Sequence, residues 1–187
     1  IADKKARYKL IDVFGGTWRW NLENLIKSKN TAAPDQTIRY PEVSGDNRYT
    51  FSLWAFPESE YAKILPAYTK WVKSYYKTKG YRTNMLHVGY RIAKDQMSTL
   101  SYSFDGNVMT IDPVSTANPG WTKFLDDFNV WCSERGGAPL PNQTFGFTRA
   151  QAVKALGARL DAVAGKRAEF DPGNRLLNPF FKTFFGV

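Results

Sequence analysis

Arg48-Tyr-Thr-Phe-Ser-Leu-Trp-Ala-Phe56, followed at once by Pro57, is the stretch on which the fold turns. Aromatic and β-branched residues alternate through it as they do in a strand. Tyr49, Phe51, Leu53 and Ala55 fall on one face, and Thr50, Ser52, Trp54 and Phe56 on the other. Pro57 ends the strand, because proline has no amide to donate to a ladder. Ser59 is then placed to cap a long helix running to about Lys79. Along it Tyr61, Ile64, Leu65, Tyr68, Trp71, Val72, Tyr75 and Tyr76 recur at helical spacing and form a broad apolar stripe. Pro66 predicts a kink or restart within this helix, and Gly80 is its natural C-cap.

Reading onward, Thr83–Ala93 alternates like a second strand. Leu86, Val88, Tyr90 and Ile92 are expected on the helix-packed face, with Met85, His87, Gly89 and Arg91 on the other. His87 and Arg91 then lie roughly 13 Å apart along that free face, with a glycine between them where a ligand or another backbone can come close. Leu100–Phe104 and Asn107–Asp112 read as a hairpin across Asp105-Gly106. Asn118-Pro119 opens a helix whose inner face is Trp121, Phe124, Leu125, Phe128 and Cys132, and Gly136-Gly137 closes it. Residues 138–147 form a polar-aromatic loop, and Thr148 with Gln151 makes a capping box for a helix through Ala164.

Working back from the quoted strand, residues 1–47 are assigned as a helical segment and linker that can belong to a neighbouring subdomain. The helical part is interrupted at Gly15-Gly16, and residues 30–47 are rich in turn formers. Residues 48–187 are the main unit. Its order of strand, helix, strand, hairpin, helix, helix predicts an α+β fold: an antiparallel sheet with helices packed on one face, ferredoxin-like, plus C-terminal helices. The other sheet face is left free to meet a partner.

Composition narrows the function. A chain of 187 residues with 1 Cys and 1 His has no internal disulfide and no cysteine-built or multi-histidine metal site. Cys132 sits on an apolar stripe, as a buried inert thiol does. The formal charge of +9 is spread along the sequence, its nearest approach to a stripe being Lys70, Lys73 and Lys77 on a solvated helix face. No run is long and apolar enough to cross a membrane. No phosphate-binding glycine loop, nucleophile elbow or serine or cysteine triad signature is present. The acidic residues read as caps and surface groups. Any catalysis therefore uses this chain as one wall of a site completed elsewhere.

The C-terminal run Lys166-Arg-Ala-Glu-Phe-Asp-Pro-Gly-Asn-Arg-Leu-Leu-Asn-Pro-Phe-Phe181 ends one helix and begins another, with Asp171 as N-cap and Pro172 in the first turn. Its pattern, Arg167-x-x-Phe-Asp-Pro-x-x-Arg-Leu-Leu-Asn-x-x-Phe, resembles the C-terminal signature of FAD-linked oxidases of the vanillyl-alcohol-oxidase type. More loosely the resemblance runs from about Tyr49 to the end. It is nearest to the covalently flavinylated, sterol-oxidising members at Gly89-Tyr90-Arg91 and Leu100–Phe104. There the family has a glutamate and an arginine separated by one residue near the flavin. Arg91 matches the arginine, whereas Gly89 stands in place of the glutamate.

The resemblance implies that this chain, the back portion of a longer polypeptide that opens here at Ile1, is a cap domain. Its sheet would lie over an FAD held mostly, and covalently in some members, by another domain of the same polypeptide. The reaction it implies is oxidation of an alcohol by hydride transfer to FAD, with oxygen as acceptor. The aromatic load, 16% of residues, fits a bulky apolar or sterol-like alcohol. A sugar-alcohol or aldonolactone oxidase of the same family is the alternative substrate class, and a ferredoxin-like nucleic-acid module the non-enzymatic one. Arg91 is the candidate cation beside flavin or substrate oxygen, and His87 the candidate proton acceptor or donor. Asn142 and Gln143, in the loop expected to face the flavin domain, are candidates for the flavin edge. Asn178, in the terminal signature, is a candidate for tying down the returning chain or touching the cofactor. Met85, Tyr102 and Trp54 are candidate substrate-lining residues.

Overall fold

The structure, a computed structural model, describes residues 3–25 and 49–187. The linker expected at 30–47 lies outside the described residues. In chain order the elements are α1 (Lys4–Leu25), β1 (Thr50–Phe51), β2 (Trp54–Pro57), α2 (Tyr61–Lys79), β3 (Arg91–Ile92), β4 (Val108–Ile111), β5 (Val114–Ser115), α3 (Trp121–Glu134), β6 (Ala138–Pro139), α4 (Arg149–Leu156), α5 (Ala158–Phe170) and α6 (Pro179–Phe185). The fold is α+β, and every strand pair is antiparallel.

The main sheet has the order β3-β4-β2-β6, and β1 and β5 form a second pair. The pairing Trp54↔Ile111 through Pro57↔Val108 continues past a break as Thr50↔Ser115 and Phe51↔Val114. Pro113 makes the break: it offers no amide, although its carbonyl still accepts from Ser52 N at 3.3 Å. The single strand expected over residues 48–56 is therefore two strands in two ladders. Its two faces also differ less than alternation predicts, since Ser52, Leu53, Trp54, Ala55 and Phe56 are all buried.

Helices α2 and α3 cover one side of the main sheet. Trp54, Phe56 and Ile111 from the strands meet Tyr68 and Tyr75 of α2 and Trp121, Phe124, Leu125, Phe128, Trp131 and Cys132 of α3 in one cluster, which Leu156, Leu160, Phe184 and Phe185 extend. The five residues expected on the inner face of α3 are all buried. Desolvation pushes the Cys132 thiol well above its ordinary range, so it stays protonated and unreactive. Gly80 ends α2 in the left-handed conformation (φ 65°), and its amide donates to the Tyr76 carbonyl. At the other end Ser59 is no cap. A 3-10 turn, Glu58–Glu60, leads directly into α2, which then runs unbroken through Pro66.

Other boundaries shift for identifiable reasons. Residues 100–104 are turns, not a hairpin arm: β4 pairs with β2 and β3, and Arg159 holds the loop by donating to the carbonyls of Thr99 and Ser101. The Thr148–Gln151 capping box forms as expected, but Gly157 divides the following helix, and its second part reaches Phe170. Helix α1 passes through Gly15-Gly16 without interruption. A Cβ on Gly15 would stand 3.4 Å from Leu86, so the glycine lets α1 lie close to the sheet side of the domain. Tyr8 donates to the Arg82 carbonyl, and Arg82 pairs with Asp12.

Candidate functional site

The sheet face opposite α2 and α3 is hollowed into a cleft of about 680 Å³, a size ordinary for small-molecule sites. Phe51 and Val114 of the β1–β5 pair, with Leu53 just after β1, build one wall, and Met85, Leu86, Val88 and Tyr90 build the other from the segment before β3. Tyr102, Leu140 and Gln143 close its ends. Among the described residues that border the cleft there is no lysine or arginine, and one carboxyl, Asp112.

This arrangement inverts the faces expected for residues 86–91, while Met85 stays on the open side as expected. Leu86, Val88 and Tyr90, expected in the core, are 51%, 44% and 52% exposed on the open side. Gly89 turns toward α2 instead, where a Cβ would meet the Thr110 carbonyl oxygen at 3.0 Å and the Tyr61 hydroxyl at 3.7 Å. Only Arg91 and Ile92 are strand, with one isolated bridge at Val88↔Asp112. The apolar residues here line a pocket rather than pack under a helix, and alternation does not distinguish the two.

His87 sits on the α2 side. The Tyr68 hydroxyl contacts its Nδ1 at 3.1 Å and the Thr83 hydroxyl its Nε2 at 2.6 Å, which satisfies a neutral ring: one hydroxyl accepts from the protonated nitrogen and the other donates to the bare one. His87 keeps exposed surface along a second cleft beside α1, of about 560 Å³, yet its ring nitrogens are both engaged. Desolvation, with a smaller contribution from the Arg82 charge, lowers its pKa to about 4. A base so weak and already bonded is not arranged to collect a proton from the main cleft. Arg91 is likewise committed. Its Nε and Nη2 grip Glu58 at 2.5 and 3.1 Å on the exposed edge of the sheet. It stands opposite Met109, on the same face as core Ile111. The free-face pair expected of His87 and Arg91 is therefore not brought together at the cleft.

Of the other candidates, Met85, Tyr102 and Gln143 do border the cleft. Trp54 does not: it is wholly buried under the sheet, and its Nε1 donates to Asn129 Oδ1 at 2.9 Å. Asn142 is exposed on the adjoining turn. Asn178 caps α6, accepting from Phe181 N at 2.9 Å. Asp171 does not cap that helix. It receives Arg175 N and Leu176 N at 2.8 and 3.1 Å and faces Arg167, so the terminal signature builds a turn around one buried carboxylate between α5 and α6.

Asp112 is the residue that sequence reasoning passed over. It is 2% exposed, and its Oδ1 has no hydrogen-bond partner. Desolvation raises its pKa to about 7, against the opposing effect of a hydrogen bond from Thr110. The Tyr102 hydroxyl is also raised, by desolvation and then by the Asp112 charge. The signal was available: an acid inside the strand-like run Val108-Met-Thr-Ile-Asp-Pro-Val114 has no turn or helix end to serve. No protein-family model matches this sequence, and no curated protein matches it.

Proposed function

We propose that this chain is the substrate-binding wall of an FAD-dependent oxidoreductase that oxidises an apolar alcohol, with oxygen as acceptor. The observation that carries the reading is the cleft: a largely apolar hollow on the helix-free sheet face, with a single buried carboxyl at its floor. The terminal signature and the Gly89-Tyr90-Arg91 run support the resemblance to that family, and the cleft supports a role of this kind for the chain.

The residues present fit such a partner. A wall of Leu53, Leu86, Val88 and Tyr90 excludes water from an apolar substrate or a planar ring. The Gln143 amide at the rim can hydrogen-bond a heterocycle edge or a hydroxyl. What FAD supplies when bound is acceptance of the hydride from the alcohol carbon. This chain's share is to hold the alcohol, keep water out and offer the hydroxyl a polar group. Phe170 and Leu176 stand 79% and 84% exposed beside the terminal turn, apolar surface suited to a flavin-binding domain of the same polypeptide.

Nucleic-acid binding is the weaker reading, since it depends on phosphate neutralisation and the cleft is bordered by a carboxyl and no cation. A sugar alcohol would need more polar groups than this lining offers.

The test is the visible absorption spectrum of the native protein before and after acid precipitation. Flavin bands support the reading, and bands that stay with the pellet establish covalent attachment. A colourless native protein that takes up no added FAD overturns it.

A further inference from the structure

We propose that Asp112 is the polar anchor of the cleft and reads the hydroxyl of an otherwise apolar alcohol. The inference rests on the proposed alcohol substrate, but its geometry belongs to this chain alone. Register fixes where the side chain goes. Ile111 points into the helix-packed core, so Asp112 points to the opposite face, where it borders the cleft with its bridge partner Val88. There it is the one ionisable carboxyl in an apolar lining. Its Oδ1 is buried and has no hydrogen-bond partner among the described residues.

A buried carboxyl oxygen without a partner costs stability, and native proteins seldom retain one without a use for it. The surrounding hydrogen bonds do not provide Oδ1 with a partner, since the hydrogen bond from Thr110 to the carboxyl leaves this oxygen unpaired. Tyr61 donates its hydroxyl to the Thr110 carbonyl, and Thr110 Oγ1 accepts from Tyr90 N. Backbone amides nearby are spent as well, since Val88 N and Asp112 N are used in the bridge. A ligand hydroxyl entering between Val88, Tyr102 and Leu53 completes the set. It gives the carboxyl its missing bond, and its own carbon skeleton stays against the apolar walls. Reaching Oδ1 requires a small shift of the side chains covering it.

A site built to bond a hydroxyl discriminates strongly against the analogue that lacks one, because the buried group is then left unpaired. The experiment measures binding of cholesterol and of benzyl alcohol to the native protein, each against its deoxygenated counterpart, cholestene and toluene. The two pairs separate a sterol-sized from a phenyl-sized ligand. We expect one alcohol to bind at least about tenfold more tightly than its hydrocarbon. Asp112→Leu should abolish that preference, and Asp112→Asn, which keeps a hydrogen-bonding side chain, should retain part of it. The wild-type protein gives a second readout that does not depend on a variant folding: the Asp112 carboxyl 13C resonance should move on adding the alcohol and not on adding the hydrocarbon. No preference in the wild type, an equal preference in Asp112→Leu, or an unmoved carboxyl resonance overturns the proposal. A hydroxyl preference that depends on Asp112 in a protein with no flavin keeps this inference and removes the oxidase reading. A flavoprotein indifferent to Asp112 does the reverse.

Discussion

Val88 and Asp112 exchange both backbone hydrogen bonds across an isolated antiparallel bridge, at 3.0 and 3.1 Å. That exchange sets which way the carboxyl points and holds it beside Val88 on the open face. Pro113 ends the β4 ladder directly after it, and β5 resumes at Val114. The carboxyl therefore sits at the break between two ladders, where the two walls of the cleft meet.

The position has a pH signature. The Asp112 pKa is raised to about 7 by burial, while an unfolded aspartate titrates near about 3.9. Between those values the native state holds a proton that the unfolded state has released, so this contribution to stability is full below about pH 4 and is lost as pH rises through about 7. We expect the urea midpoint of the wild type to fall across that window relative to Asp112→Asn, which has no proton to lose. Parallel pH profiles of the two proteins would show that the carboxyl titrates normally.

His87 has the opposite sign. Its pKa is lowered to about 4, below the unfolded value near about 6.5, so its contribution is full above that value and disappears as pH falls toward 4. Imidazole 15N resonances recorded from pH 8 down to 5.5 should remain those of a single neutral tautomer. A midpoint near 6.5 would mean that the Tyr68 and Thr83 contacts do not hold the ring in solution. Replacing Tyr68 by Phe removes the hydroxyl partner of Nδ1 and should cost about 1–3 kcal/mol in urea unfolding.

Which parts of this were legible in the sequence follows from the kind of signal each residue gives. Alternation and helical spacing report that a residue is apolar on one face, and so Trp121, Phe124 and Phe128 were placed correctly, because their face packs on the sheet. The same signal misplaced Leu86, Val88 and Tyr90, since a pocket wall and a core wall have the same periodicity. Trp54 was taken for a lining residue because both faces of β2 carry aromatic or aliphatic side chains, and only the depth of the sheet shows that it is buried. The signature residues Arg167, Asp171 and Asn178 were recognisable as a pattern, but their work is local: a paired carboxylate that receives two amides, and a helix cap. Asp112 was missed because a lone acid carries no periodic signal. Its meaning comes from Pro113 and Val88, one adjacent and the other 24 residues away.

Gly89 is predicted to be intolerant of any side chain. An added Cβ meets the Thr110 carbonyl oxygen at 3.0 Å, and that oxygen is backbone, fixed by the sheet and by the Tyr61 hydroxyl. Gly89→Ala should lose about 1–3 kcal/mol by overpacking. Gly106→Ala serves as the comparison, because a Cβ there has nothing within 4 Å. Equal stability of the two variants would show that the strand before β3 is free to move away from α2. A glutamate at position 89 would meet the same carbonyl with its Cβ.

Thr144 links the loop carrying Gln143 to the sheet beneath it. Its hydroxyl donates to the Leu53 carbonyl and accepts from Leu140 N at 2.9 Å, and its own amide donates to the Leu140 carbonyl at 2.8 Å. Leu53, Leu140 and Gln143 all border the cleft, so one buried hydroxyl sets the spacing of its floor and rim. Thr144→Val keeps the shape and removes the hydroxyl, leaving a backbone acceptor and a backbone donor unpaired in the interior. We expect a loss of about 2 kcal/mol or more in urea unfolding. We also expect faster amide exchange at Leu140 and Gln143, and weaker alcohol binding at a pH where the variant is still folded. Thr144→Ser, which retains the hydroxyl, should restore the exchange protection and most of the binding. Rescue separates a hydrogen-bonding role from mere packing: if Ser behaves like Val, the methyl group rather than the hydroxyl holds the loop.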